Sequence, residues 1–186
     1  MNRFEFISTK LVGLTVVQRN LIEDQRGFFS RLYCAEEFGQ AGMTKSIAQV
    51  NHTFTATKGA IRGLHFQYPP HAETKLVSCF YGEVFDVAVD LRQGSPTFLH
   101  WHGEVLTAKN RKSLLIPEGF AHGFQSLTNN CELIYLHTES YQSDTEGALN
   151  VMDPRLDITW PLAITDISEK DRNHELINRQ FEGIVL

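Results

Sequence analysis

The strongest constraint on this chain is its rhythm. Short runs rich in Val, Ile, Phe, Tyr and Thr recur at 11–17, 27–33, 46–52, 60–67, 75–80, 84–91, 98–106, 113–116, 122–127 and 132–138. β-Branched and aromatic residues suit a pleated surface, and runs of this length are strand candidates. Turn signals punctuate them: Tyr81-Gly82, Gln93-Gly94-Ser95-Pro96 and Pro117-Glu118-Gly119. In the 84–91 run, Asp86, Ala88 and Asp90 fall on one side and Val87 and Val89 on the other. Strands spaced this closely predict an antiparallel sandwich or barrel such as a jelly roll. Two helices flank them. One is short, at 35–41. The other starts at a capping-box-like Ser168-Glu169-Lys170-Asp171 and is expected to run to about residue 179. Residues 157–161 read as a last extended segment stopped by Pro161.

The chain is 186 residues long and 42% hydrophobic, enough for one domain over 1–186 with a real core. Its apolar runs fall far short of the roughly 20 residues a membrane span needs. Seventeen basic against 22 acidic residues give a net charge of −5 without a basic block, which argues against nucleic acid as a partner. A few Arg and Lys focused in one pocket can still attract a small polyanion. The first ten residues carry Arg3, Glu5 and Lys10, so no secretory leader is expected. The three cysteines, Cys34, Cys79 and Cys131, form no CxxC pair and read as free thiols of a reducing cytosol.

Chemistry concentrates in Ile61-Arg62-Gly63-Leu64-His65-Phe66-Gln67, followed by Lys75. Taken singly, Arg62 and Lys75 read as surface charges and His65 as a hydrogen-bonded core residue. Strict alternation puts His65 and Gln67 on one face. A sheet face carrying His, Gln and Lys is an expensive core and is better explained as the lining of a pocket. A second segment, Ile116-Pro117-Glu118-Gly119-Phe120-Ala121-His122-Gly123-Phe124, contains Pro-x-Gly-x-x-His. This resembles the second motif of the cupins, double-stranded β-helix jelly rolls. A metal-binding cupin would carry in its first motif two His with one residue between them and a Glu with six residues between it and a Gly. Here Gln67 follows His65, and Lys75 stands at the Glu position before Gly82. An ammonium cannot ligate a cation, so no metal is expected. A fixed cation can still stabilise negative charge on an oxygen, which suits an enolate.

The resemblance then becomes specific. Residues 62–67, Lys75-Leu76-Val77, residues 82–92, Ser95-Pro96-Thr97 and residues 116–124 resemble the RmlC family, the dTDP-4-dehydrorhamnose 3,5-epimerases. So do Asp24-x-Arg26-Gly27-Phe28-Phe29, Asp153-Pro154, Ile158-x-Trp160-Pro161 and Ser168-x-Lys170-Asp171. The resemblance implies an all-β, cupin-like double-stranded β-helix jelly roll with short flanking helices. It implies a cytoplasmic homodimer without metal or cofactor that inverts C3 and C5 of a nucleoside-diphosphate 4-keto-6-deoxyhexose. By the same resemblance His65 is the base, oriented by Asp171. Lys75 steadies the enolate oxygen. Tyr135 is the acid, with Tyr141 in reserve. Asp86 is a pocket carboxylate expected to hold Lys75. Arg26, Gln49, Asn51, Arg62 and Lys170 contact the diphosphate or nucleoside, and Phe29, Arg31, Gln67 and His122 complete the substrate-binding set.

The chain departs from the family pattern at Ser30-Arg31, where a Phe-Glu pair is usual. Thymine offers an N3–H donor that suits Glu, whereas cytosine offers a bare acceptor that suits Arg. A CDP-linked sugar therefore stands as an alternative, and the departures around Tyr135, with Leu136-His137-Thr138 where Lys-x-Thr is usual and no Trp in Asn150-Val151-Met152-Asp153-Pro154, leave a C3- or C5-mono-epimerase as another. A non-catalytic sugar-nucleotide-binding cupin is a further one, although mere binding needs neither a base nor an acid. A metal-dependent cupin oxygenase is disfavoured by Lys75.

Overall fold

The computed structural model describes residues 2–186. In chain order its strands are β1 (Phe4–Ser8), β2 (Thr15–Arg19), β3 (Leu21–Asp24), β4 (Gly27–Ser30), β5 (Gln49–Thr55), β6 (Ala60–Gln67), β7 (Lys75–Tyr81), β8 (Glu83–Asp90), β9 (Trp101–Thr107), β10 (Lys112–Ile116), β11 (Phe120–Ser126), β12 (Cys131–His137), β13 (Glu146–Ala148) and β14 (Asp166–Ile167). Helix α1 spans Ala35–Gln40 and α2 spans Glu169–Arg172. One sheet runs β1-β2-β10-β7-β12-β5 and the other β13-β6-β11-β8-β9, with β14 parallel to β6. The two sheets form the expected jelly roll. No helix among the described residues is long and apolar enough to cross a membrane.

Alternation sorts the side chains into three layers. Val84 and Ala88 of β8, Phe120 and Phe124 of β11, Val77 and Cys79 of β7, and Leu133 of β12 meet between the sheets. The opposite faces of β6 and β8 send Ile61, Leu64, Val87 and Val89 outward, under a C-terminal cover of Leu149, Val151, Leu156 and Ile184. Leu76 and Leu115 face outward from the first sheet and are capped by Phe38 of α1. Both sheets are thus buried on two faces, which is why β8 and β11 contain so little exposed surface.

The boundaries differ from the expected ones where turns intervene. The 11–17 run starts later, at Thr15, because Gly13 adopts φ +87° in a turn. The 27–33 run stops at Ser30 and pairs with β3 as a small separate hairpin. Helix α2 ends at Arg172, not near residue 179. Asp153 Oδ2 accepts the Ile177 N–H at 2.5 Å, and Ile177 and Phe181 pack on the outer cluster, so the chain is drawn off as a strap. Residues 157–161 belong to no strand.

One irregularity positions the site. His65 of β6 stands opposite His122 of β11, yet Arg62 stands opposite Phe124. Three steps on β6 match two on β11, so β6 carries an extra residue, and the bulge lets Arg62 and His65 line the same cavity. Gly63 sits at this point with φ +116°. A Cβ there would lie 2.5 Å from Gly123 Cα and 2.7 Å from the His122 carbonyl oxygen. Gly63→Ala is expected to cost about 1–3 kcal/mol of stability, read as a lowered urea midpoint.

Candidate active site

At one end of the sandwich the inward positions turn from apolar to polar. Lys75 precedes Val77 and Cys79 on the inner face of β7. Tyr135 and His137 follow Leu133 on β12, and His122 lies between Phe120 and Phe124 on β11. Lys75, His122, Tyr135 and His137, together with His65, line a cavity of about 670 Å³.

His65 Nε2 lies 2.7 Å from Asp171 Oδ1 although the two residues are 106 positions apart. The α2 cap makes the meeting possible. Ser168 Oγ accepts the Asp171 backbone N–H at 3.0 Å, which turns the carboxylate toward β6. Asp171 Oδ2 also accepts the Gly63 N–H at 3.4 Å. Burial pushes this carboxyl up, but the hydrogen bond and charge of His65 and the Gly63 N–H outweigh it and hold it below the usual range. An ionised carboxylate only accepts, so Nε2 carries the imidazole proton and Nδ1 keeps the lone pair.

Lys75 Nζ reaches Glu73 Oε1 at 3.1 Å and donates to the His65 carbonyl oxygen at 3.3 Å. An ammonium has three donors, so one is left for a ligand. The other oxygen of Glu73 pairs with His137 Nδ1 at 2.8 Å. Burial raises the Glu73 carboxyl, and the hydrogen bond from His137 with the charge of Lys75 brings it below its ordinary value. Beside this chain His122 Nε2 meets Asp86 Oδ1 at 2.8 Å, and Asp86 is fully buried. The Tyr135 ring lies edge-on to His122 with centroids 5.8 Å apart. Burial pushes its phenol above the ordinary value, so it stays protonated at neutral pH. At the mouth, Arg62 donates from Nε to Thr55 Oγ1 at 3.0 Å and Lys170 Nζ pairs with Glu146 Oε2 at 2.6 Å. An acidic chain therefore presents Arg62, Lys75 and Lys170 around one opening, a field that favours an anionic ligand.

Residues 8–179 match the family model described as dTDP-4-dehydrorhamnose 3,5-epimerase. The chain belongs to the dTDP-4-dehydrorhamnose 3,5-epimerase family. The Shigella flexneri enzyme of that name is 41% identical over 168 residues, covering 90% of this chain and 92% of the relative. The Bacillus anthracis enzyme, solved with TDP and PPi bound, superposes with a TM-score of 0.90 at 39% identity, covering 94% of this chain and 99% of its own. The Legionella pneumophila enzyme in complex with dTDP-4-keto-L-rhamnose gives 0.90 at 36% identity, with 98% and 99% covered.

Of the residues that the family resemblance singled out, His65, Lys75, Tyr135, Asp171, Asn51, Arg62, His122 and Lys170 line this epimerase-family cavity together. Asp86 lies directly behind His122. Its expected partnership with Lys75 is corrected: Asp86 holds His122 on the neighbouring strand, whereas Glu73, two residues before Lys75, holds the ammonium. Gln67 does not face the cavity. Its amide donates to the carbonyls of His71 and Ser140 and accepts the Gln142 N–H at 2.6 Å, so it pins the 140–142 turn. Tyr141 stands on the surface with its hydroxyl 3.2 Å from Glu146 Oε2, and Gln49 Oε1 accepts the Tyr141 N–H. Arg26 and Phe29 sit on the β3–β4 hairpin, where Arg26 is clamped by Asp24, and Arg31 faces Glu37 at 3.6 Å. None of the three lines the cavity of its own chain.

Glu73, His137 and Thr53, which lines the cavity from β5, were missed. Extending the alternation by two residues back from Lys75 and on from Tyr135 would have placed Glu73 and His137 on the inner face. Thr53 carries no such signal.

Proposed function

We propose that this chain is an isomerase that inverts C3 and C5 of a dTDP-4-keto-6-deoxyhexose, without metal or redox chemistry, through an enolate. The 4-keto group acidifies the hydrogens on both carbons. His65 Nδ1 takes the proton, Asp171 favours the imidazolium that results, and Lys75 meets the negative charge on O4. Tyr135 returns a proton to the other face. The observation that carries this reading is the disposition of acid and base. His65 stands on β6 in one sheet, and Tyr135 and Lys75 stand on β12 and β7 in the other. Inversion at carbon needs a base on one side to take the proton and an acid on the other to return one, and mere binding does not. Arg62 and Lys170 at the mouth suit the diphosphate.

We further place the enzyme in the cytosol, as a homodimer. The free thiols Cys34, Cys79 and Cys131 are in keeping with a reducing compartment. Phe28 and Phe29 on the hairpin are 62% and 57% exposed, a patch suited to a second copy, whose cavity Phe29 and Arg26 would complete. Arg31 already faces Glu37 of its own chain, so nothing in its setting favours cytosine over thymine.

Proton NMR in D₂O with dTDP-4-keto-6-deoxyglucose tests the reading. Deuterium is expected at both C3 and C5, with inversion at each. Tyr135→Phe should keep wash-in, because His65 can return a deuteron to the face it deprotonated, while inversion slows by about 10²-fold or more. Exchange at one carbon reduces the enzyme to a mono-epimerase, and exchange at neither overturns the assignment.

A further inference from the structure

We propose that His65, Asp171 and His174 form a site for a divalent d-block cation, with Zn²⁺ the best fit, whose occupancy switches the base off. One donor atom from each residue lies within 4.8 Å of the other two. His65 Nε2 is 2.7 Å, and His174 Nε2 3.7 Å, from the same carboxylate oxygen, Asp171 Oδ1. In a tetrahedral zinc site with bonds of about 2.0–2.1 Å, neighbouring donors stand roughly 3.3 Å apart, so changes of at most about 1.5 Å in donor separation close the geometry. Two imidazoles and one carboxylate are a zinc donor set with a fourth position left open.

His174 supplies a second, independent observation. Its Nε2 is buried and makes no hydrogen bond among the described residues. A buried ring nitrogen without a partner is costly, and a cation would satisfy it. The ring is held in place by its spacing, three residues after Asp171, and by Asn150, whose side-chain amide donates to the His174 carbonyl at 2.8 Å. The donor set is not the cupin one, since Gln67, Lys75 and His122 take no part. The ammonium of Lys75 is matched by Glu73.

The consequence for the base follows from proton counting. A cation on His65 Nε2 displaces the proton shared with Asp171. The neutral ring then carries its one proton on Nδ1, the atom that must accept hydrogen from the sugar. Inhibition rests on the reading of His65 as the base; binding does not.

Titrating Zn²⁺ into the full chain by calorimetry, beside His174→Ala, tests the site. One Zn²⁺ per chain is expected, bound about tenfold or more weakly by the variant. His174→Ala should retain turnover and escape Zn²⁺ inhibition, which in the wild type should track occupancy and reverse with EDTA. Absence of stoichiometric binding, or equal affinity in His174→Ala, overturns the site. Binding that depends on His174 but leaves wild-type turnover untouched upholds the site and overturns His65 as the base.

Discussion

Replacing His65 with alanine is expected to lower turnover by about 10²–10⁴-fold and to stop deuterium entering at C3 and C5 alike. Both losses share one cause. The ring on β6 lines the cavity, and its Nε2 is tied to a buried carboxylate at 2.7 Å. Asp171→Asn sharpens the test. The Gly63 N–H keeps an oxygen at the Oδ2 position, so the new amide nitrogen must take the place that faces His65. An amide N–H there donates to Nε2 and drives the imidazole proton onto Nδ1. The base is then present, well placed and in the wrong tautomer. Wash-in should fall nearly as far as in His65→Ala with little change in KM, because the sugar nucleotide still meets Arg62 and Lys170. Normal exchange by either variant would remove His65 from the mechanism.

Period-two reasoning recovered most of the longer strands but not β1 or β3, although both pair regularly with their neighbours. On β8 it set Asp86 on one side and Val87 and Val89 on the other, and the structure turns Asp86 inward to His122 and the two valines outward. It failed on β6 for a stated reason. The extra residue at Gly63 breaks the alternation, so Arg62 joins His65 in the cavity when a flat strand would have turned it away. Gln67 keeps the inner register but has run past the cavity, where partners from residues 71, 140 and 142 consume its amide. No local pattern announces contacts that distant. The same holds for Asp171. Its capping box was readable at Ser168, but its reach to His65 came only from the family resemblance, because a 106-residue separation leaves no periodic trace. The exchange of partners between Asp86 and Glu73 has a related origin. Asp86 meets His122 because β8 and β11 are neighbours in the sheet, an adjacency that no single run announces, whereas Glu73 lies within the run that carries Lys75, two residues before it.

Lys75→Met should produce the other large effect, a loss of about 10²–10³-fold in turnover. Charge on O4 appears only after the proton leaves carbon, so an ammonium beside it stabilises the transition state more than the bound ketone. The sugar nucleotide should therefore bind almost as before while kcat falls. Wash-in must fall in step with turnover, because the enolate itself no longer forms. That outcome separates Lys75 from Tyr135, whose loss leaves exchange intact. The substitution also disturbs the fold. The Glu73 side chain is only 9% exposed and would keep only His137 as a partner, an imbalance worth roughly 3 kcal/mol. Lys75→Met with Glu73→Gln removes that charge. The double variant should recover most of the lost urea midpoint and none of the lost wash-in. If turnover returned together with stability, Lys75 would be a prop for the sandwich and not the cation that steadies the enolate.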